Sequence, residues 1–359
     1  MTDEGQERAR PALDENAYAA WHRAGICERD DRKEIISDGI LTADEGTLVF
    51  ESGEDTVYLP VNGLRNINIY SDATVNASVF SYLRKHNITL TVFDKFGNIA
   101  GRFVPEEYGG RAETFLHQAQ HYTDEGKRLL LAKEFVRAEL WQTRENLRYY
   151  RRHRDSGTLA DVCAALGVLY DGTEGIADYA KLLLHEARGR ELYYSCFNDI
   201  IAGEEFRFRG RFRRPPADPL NALISFGNAV LYNAISNEIQ KTSLSVKIGY
   251  LHATGQRAES LNLDISEIFK PIIVDRVIFT LLNQKMMNER EHFEQHGEGV
   301  WLSREGKRIF LAAYWEKLNS TFTADGRRIS YRKLIWEELL HFQAYINGES
   351  ESYRAFHYK

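Results

Sequence analysis

Cysteine is scarce in this chain: Cys27, Cys163 and Cys196 are the only three, and they lie far apart. That spacing excludes a disulfide-stapled scaffold and a zinc ribbon, and fits a reducing cytoplasm. Long apolar runs are missing too. The stretch Ile272–Leu282 is interrupted by Asp275 and Arg276, well short of the ~18 residues a membrane span needs. No apolar segment follows Met1, so neither a secretory leader nor a membrane partner is expected. The G-x-x-x-x-G-K-[ST] phosphate loop, the G-x-G-x-x-G dinucleotide turn and the G-x-S-x-G elbow are all absent, which argues against the enzyme classes built on them.

What is present is an ordinary globular composition. The chain has 359 residues, 43% hydrophobic and 27% charged, enough for two or three domains at roughly 100–200 residues each. Net charge is −6, so the bulk balance gives no sign of a polyanionic partner. Arginine is nevertheless clustered, at Arg144, Arg148, Arg151, Arg152 and Arg154 and again at Arg207, Arg209, Arg211, Arg213 and Arg214. An acidic protein can hold nucleic acid on such local patches.

Texture divides the chain. Residues 1–33 are polar with little periodicity and read as a mobile extension. From Glu34 to Pro105, short β-branched and aromatic clusters alternate with turn signals such as Ser37-Asp38-Gly39, Asn62-Gly63 and Phe96-Gly97-Asn98. One short helix, Asn76 to His86, interrupts them. This pattern predicts a small β-sandwich over 34–105. Beyond it the apolar period becomes helical to about Ile346. The expected fold is therefore α+β and multidomain: a β domain followed by a larger all-α domain over 106–359.

Within the helical part, several patterns carry chemistry. His292 and His296, like His117 and His121, have the i, i+4 spacing of a helical chelate. Neither has the H-E-x-x-H order, and solvated helix faces are the reading favoured for both. Phe206-Arg-Phe208-Arg-Gly-Arg-Phe212-Arg-Arg214 alternates ring and guanidinium, as a charged surface loop or a DNA-backbone contact would. The helix after Pro215-Pro216 is apolar except for a seam at Asn221, Ser225, Asn228 and Tyr232. Such a seam either meets another polar helix or lines a site, and periodicity leans to the first. Asp264 and Glu267 are neighbours at i, i+3 amid Leu263, Ile265 and Ile268. They are surface carboxylates or, with an imidazole nearby, ligands for Mg²⁺ or Mn²⁺.

Taken in order, these blocks resemble the CRISPR-associated integrase of the adaptation module, the "Cas one" family, over roughly residues 34–359. The resemblance is carried by Ser37-Asp38-Gly39, Leu59-Pro60-Val61 and Val92-Phe93-Asp94 in the β region, and by Gln120, Tyr122 and Leu131-Ala132-Lys133 beyond it. It continues through Glu186-Ala-Arg-Gly-Arg-Glu-Leu-Tyr193, Arg213 to Gly227, Gly249-Tyr-Leu-His252, Leu263 to Pro271, Tyr331 to Ile335 and Tyr353-Arg-x-Phe. It implies a Mg²⁺- or Mn²⁺-dependent DNA endonuclease and integrase that inserts spacers into a CRISPR array. It implies metal ligands Glu186, His252 and Glu267, and a second acidic position at Asp264. Tyr232 then lies near the reacting phosphate, and Arg207, Arg209, Arg211, Arg213 and Arg214 become DNA contacts.

Certain relatives have aspartate where this chain has Glu267. Implied partners are spacer and repeat DNA, a second copy joined partly through the β domains, and a small ferredoxin-like protein that completes a heterohexamer. Alanine at Asp264 or Tyr232 is expected to lower strand transfer with folding intact. The rival readings are a non-catalytic DNA-binding protein and a metallohydrolase of small phosphoesters.

Overall fold

A computed structural model describes residues 15–29, 31–44, 46–94, 96–105, 112–154, 156–212, 215–252, 259–324 and 326–358. The chain divides into two compact units, residues 1–95 with 100–105, and residues 96–99 with 106–359.

The first unit contains two sheets. Strands β1 (Ile26–Arg29), β2 (Arg32–Ile35), β6 (Asn66–Ile69), β8 (Thr89–Phe93) and β9 (Ile99–Phe103) form one, in that order. Strands β5 (Asp55–Leu59), β4 (Thr47–Ser52), β3 (Gly39–Asp44) and β7 (Ala73–Val75) form the other. Strands β1–β2, β3–β4 and β4–β5 pair antiparallel, whereas β2–β6, β6–β8 and β3–β7 are parallel. Ile35, Ile67 and Leu90 of one sheet share a core with Leu41, Phe50 and Leu59 of the other, closed by Val79 and Leu83 of helix α2 (Ala77–Lys85). Asn76 caps that helix by accepting from the Ser78 N–H at 3.2 Å.

Part of the expected mobile extension is structured. Glu15–Arg23 is helix α1, and Ile26–Arg29 pairs with Arg32–Ile35. The physical reason is three apolar residues among many charges. Trp21, Ala24 and Ile26 are buried in the core of this unit, and the Lys33 ammonium sits 4.2 Å from the Trp21 ring centroid. Residues 1–14 of that extension lie outside the described residues.

In the second unit the spine is α4 (Glu125–Arg151), entered from α3 (Ala112–Thr123) through the cap Asp124, which accepts from the Lys127 N–H at 2.9 Å. Helices α5 (Gly157–Gly172) and α6 (Tyr179–Ser195), the short α7 (Phe197–Ile200), α8 (Pro219–Ile239) and α9 (Leu261–Phe269) follow. A wider π-helical turn, Pro271–Asp275, joins α9 to α10 (Arg276–Asn283). Helices α5, α6, α9 and the π turn all pack on α4. A Cβ at Gly227 of α8 would lie 2.6 Å from Val274 and 2.8 Å from Phe310, so this close crossing requires glycine.

Helical periodicity did not anticipate two hairpins. After α11 (Glu289–His292), β10 (Phe293–His296) pairs with β11 (Gly299–Leu302). After α12 (Arg304–Asn319), β12 (Thr321–Ala324) pairs with β13 (Arg327–Ser330), which leads into α13 (Tyr331–Ile346). The His292/His296 helix face is therefore corrected: His292 is buried at the end of α11, and His296 is exposed on a strand. His117 and His121 do share α3, but His121 Nδ1 bonds to the His117 carbonyl at 2.9 Å rather than facing a common ligand.

The chain's end is latched onto α4. Gln142 donates to the Phe356 carbonyl at 2.9 Å and accepts from the Tyr358 N–H at 3.1 Å. Glu338 accepts from the Tyr353 hydroxyl and, at 3.2 Å, from the Phe356 N–H. Burial pushes the Glu338 carboxyl up to about 7, against the pull of those two bonds. A carboxyl raised on folding stabilises the fold below its unfolded value and loses that contribution as pH climbs through the folded one. Glu338→Gln is expected to abolish this loss, worth about 3 kcal/mol between pH 4 and 8. Urea unfolding of both proteins at pH 5 and pH 8 checks it, and parallel pH dependences would contradict it.

Candidate metal centre and its basic approach

Three helices deliver carboxylates to one point. Glu139 of α4, Glu186 of α6 and Glu267 of α9 offer oxygens that all lie within 4.8 Å of one another, and all three residues are buried. Glu139 continues the stripe Leu131, Ala132, Phe135 and Val136 that faces the core. Glu267 follows Ile265 on α9, every residue of which is buried.

Clustered anions repel unless something neutralises them. Here Arg190, one turn after Glu186 on α6, places its guanidinium among the three. It pairs with Glu186, lies 3.4 Å from Glu139 Oε1 and lies 3.5 Å from Glu267 Oε2. Lys270 Nζ adds a contact of 2.7 Å to Glu267 Oε1. The two buried carboxyls respond in opposite ways. Burial raises Glu139 to about 7, Arg190 opposing it. Burial also acts upward on Glu267, but Lys270, Arg190 and His252 together hold it down at about 2.

His252 approaches from the Gly249–His252 turn. Its Nε2 is 3.6 Å from Glu267 Oε1, and its Nδ1 is 2.8 Å from Asp264 Oδ1. Asp264 is fully buried and accepts three backbone N–H groups as well: Tyr250 at 2.5 Å, Leu251 at 3.0 Å and His252 at 2.9 Å. A Cβ at Gly249 would meet Asp264 Oδ2 at 2.9 Å. Asp264 thus aims its oxygens at the turn and the imidazole, which makes it a positioning residue for His252. The expectation that alanine there leaves folding intact is revised. Asp264→Ala would orphan three backbone donors, those of buried Tyr250 and Leu251 and half-buried His252, at roughly 1–3 kcal/mol each, so a loss of about 3 kcal/mol or more is expected in thermal or urea unfolding. An unchanged stability would contradict that assignment.

The cluster fits a hard divalent cation. Glu139 Oε2 is buried without a hydrogen-bond partner, and the available donors are carboxylate oxygens plus one imidazole, the set that suits Mg²⁺ or Mn²⁺. Glu139, Glu186 and Glu267, with His252 beside Glu267, are the residues that could hold it.

A cavity of about 150 Å³ opens onto the cluster, lined by Glu139, Arg190, Glu267 and Lys270 on one side and by Ser225, Asn228 and Tyr232 on the other. The polar seam of α8 therefore lines a site, not a helix contact. Its first member, Asn221, is instead buried and accepts from Arg211 Nη1 and from the Phe212 N–H, both at 2.9 Å. Lys270 Nζ lies 5.1 Å from the centre of the Tyr232 ring.

A wider cavity of about 570 Å³ lies alongside and shares Arg190 and Arg211 with the first, adding Tyr194, Phe208 and Arg209. The alternation of the 206–212 segment is visible here: Phe206 and Phe208 are buried while Arg207 and Arg209 are exposed. Arg207 pairs with Glu204 at 3.3 Å, and Arg211 also donates to Ser225 Oγ at 2.9 Å. Arg213 and Arg214 lie outside the described residues. In the other arginine cluster, Arg154 is spent on the Ile200 carbonyl at 3.1 Å and Asn283 Oδ1 at 3.2 Å.

Of the anticipated ligands, Glu186 and Glu267 meet, and His252 reaches Glu267. Glu139 was missed. Its one signal is that α4's buried stripe turns polar, passing from Phe135 and Val136 to Glu139, Gln142, Thr143 and Asn146.

The chain's relatives agree with the resemblance. The family model described as CRISPR associated protein Cas1 matches residues 35–316. A CRISPR-associated endonuclease Cas1 of Thermodesulfovibrio yellowstonii is 38% identical over 324 residues, 90% of this chain and 97% of that one. The solved structure of a Cas1 protein from Thermotoga maritima is similar with a TM-score of 0.78 at 33% identity, covering 88% of this chain and 96% of that one. Two more distant structures share the fold, both with a TM-score of 0.79 at 19% identity. One is a casposase bound to integration product, covering 90% of this chain and 92% of that one. The other is a Cas6-RT-Cas1–Cas2 complex, covering 91% of this chain and 36% of that one. Among the described residues, no helix is long and apolar enough to cross a membrane.

Proposed function

The chain belongs to the Cas1 family of CRISPR-associated proteins, and on that premise we propose that it is a metal-dependent DNA endonuclease and integrase that joins spacer DNA to a CRISPR array by strand transfer. The observation that carries this reading is the convergence of Glu139, Glu186 and Glu267 beside His252 at a cavity flanked by Arg209 and Arg211. Glu139, Glu186, Glu267 and His252 would hold one Mg²⁺ or Mn²⁺. When bound, such an ion supplies charge stabilisation at a phosphoryl oxygen.

The reaction exchanges one phosphodiester for another. A DNA 3′-hydroxyl oxygen bonds to phosphorus, the bond to the leaving 3′-oxygen breaks, and the attacking proton ends on the departing strand. Water in place of the hydroxyl gives nicking. This chain's own residues orient the participants. Asp264 fixes the His252 ring, Arg211, Ser225 and Asn228 line the phosphate's approach, and Tyr232 faces the same space with a hydroxyl able to bond a phosphate oxygen. Arg190, which also lines the wider cavity, would be free to bond a DNA phosphate there when an ion takes over the carboxylates.

As partners we propose spacer and repeat DNA, a second copy engaged through the β unit, and a small Cas2-type protein bridging two such dimers. The Cas2-containing complex of a distant relative supports the last of these.

The test is strand transfer on branched DNA mimicking a half-integrated spacer, with Mn²⁺, with Mg²⁺ and with chelator. Resolution with either ion and none with chelator is expected. A folded, DNA-binding protein that is inactive with every ion, alone and with its partner, would favour a binding-only role.

A further inference from the structure

A third cavity, of about 420 Å³, lies apart from the acidic centre between α4, α10 and α12, and nothing in the proposed reaction uses it. Tyr149 of α4 and Arg276 of α10 line it, as do Lys317 and Ser320 at the end of α12. Gln284 adds an amide, and Glu316 is exposed at the rim. Its electrostatics are unbalanced. The Arg276 guanidinium stacks 4.7 Å from the Tyr149 ring and 5.6 Å from the Tyr358 ring, and its Nε donates to Asn146 Oδ1 at 3.0 Å. Lys317 Nζ sits 4.0 Å from the Tyr331 ring. Among the described residues, neither cation has a carboxylate within ion-pair distance. Burial first, and then Arg276, pull the Lys317 ammonium down to about 8. Two cations that repel in one cavity, neither paired with a carboxylate, make a site for an anionic ligand.

The aromatic wall narrows the ligand's class. Tyr149 is 44% exposed, so part of its ring is open to a ligand beside the guanidinium. A ring and an arginine plane next to a pair of cations is the arrangement that stacks an unpaired base and holds its phosphate. A cavity of this volume is in the range of small-ligand sites. Gln284 and Ser320 can bond base edges in any sequence.

We propose that this cavity binds one unstacked nucleotide, with the phosphate between Arg276 and Lys317 and the base on Tyr149. The nucleotide comes either from an unpaired stretch of a DNA strand or from a free nucleoside monophosphate, and the same chemistry serves both. The cavity is wired to the acidic centre. Asn146, which accepts from Arg276, donates to the Tyr193 hydroxyl at 2.7 Å and to the Pro271 carbonyl at 3.0 Å, and both of those residues line the catalytic cavity. The assignment rests on the DNA-acting reading only for the strand as source.

Binding is measured with chelator present, which idles the acidic centre, so failure here is separate from failure of strand transfer. The probes are a 5′-phosphorylated, fluorescently labelled oligo-dT pentamer followed by anisotropy, and dTMP followed by calorimetry. Tyr149→Ala and Lys317→Gln are each expected to weaken binding about tenfold, while Lys317→Arg retains it. Loss for the pentamer alone identifies a strand site, and loss for both probes identifies a nucleotide site. A 5-iodouracil pentamer should also crosslink, in the unmodified protein, to the peptide carrying Tyr149. Unchanged binding of both probes in folded variants, with crosslinks elsewhere, would overturn the proposal.

Discussion

Glu186→Gln is expected to leave a folded, DNA-binding protein whose metal-dependent strand transfer falls about a thousandfold. The substitution keeps the side chain's shape and one acceptor oxygen but removes the anion. Glu186 has two roles in the cluster, partner to Arg190 and neighbour to Glu139 and Glu267. A cation that stabilises a reacting phosphate contributes several kcal/mol, and loss of about 4 kcal/mol corresponds to three orders of magnitude in rate. Glu267→Gln should behave alike in rate but cost more in stability, because it strands Lys270, whose ammonium has Glu267 as its contact at 2.7 Å. A buried ion pair broken on one side costs about 3–5 kcal/mol. Glu139→Gln is expected to lose rate likewise but to cost the least stability of the three, since burial already holds its carboxyl half neutral near pH 7. Single-turnover rates on the branched substrate, beside urea unfolding of each variant, separate the two effects. Wild-type rates in Glu186→Gln would remove that residue from the centre.

Arg190→Gln should act in two directions at once. Without an ion, the variant has three converging carboxylates and Lys270 as the nearby cation, so it unfolds at lower temperature than the parent. With Glu139 losing the charge that most opposes its burial, that carboxyl holds its proton to still higher pH. Added Mn²⁺ meets no resident guanidinium. Above pH 8 its affinity is expected to rise roughly tenfold, about 1.4 kcal/mol, and the thermal shift it produces should exceed that of the parent. Strand transfer should still fall, since Arg190 lines the wider cavity beside Arg209. Thermal unfolding across a Mn²⁺ titration reads both effects. Equal Mn²⁺ affinity in the two proteins would show that Arg190 and the ion do not compete.

How much of this was legible beforehand differs from residue to residue. The β unit was readable because its strands are short, β-branched and separated by Gly-Asn-Asp turns, and α2 announced itself with Asn76 and the Val79/Leu83 spacing. Helix α1 was not, since one short helix held by Trp21 and Ala24 has too little periodicity to stand out from its charged flanks. The β10–β11 hairpin was hidden for a related reason: Phe293–His296 has an exposed polar face that reads equally well as solvated helix.

In the candidate site, Asp264 and Glu267 were conspicuous as carboxylates among isoleucines, although only the fold distinguishes their tasks. Four contacts to one turn consume Asp264, whereas Glu267 faces the cluster. Glu186 is a lone glutamate on an ordinary helix and was reachable through the family resemblance alone. Glu139 and Arg190 matter because α4, α6 and α9 cross there, and apart from the polar turn of α4's stripe a crossing of helices distant in sequence leaves no local pattern. The α8 seam was seen, but its two possible partners, another helix or a cavity, differ only in what lies across from it.

In the proposed centre these carboxylates, with His252, would hold one divalent cation. The most direct measurement is a Mn²⁺ titration of the protein without DNA, followed by electron paramagnetic resonance at pH 8, where Glu139 is largely ionised. One tightly bound Mn²⁺ per chain is predicted, lost when Glu186→Gln and Glu267→Gln are combined in a protein that still folds. Undiminished Mn²⁺ binding by that double variant would place the ion elsewhere and contradict the account.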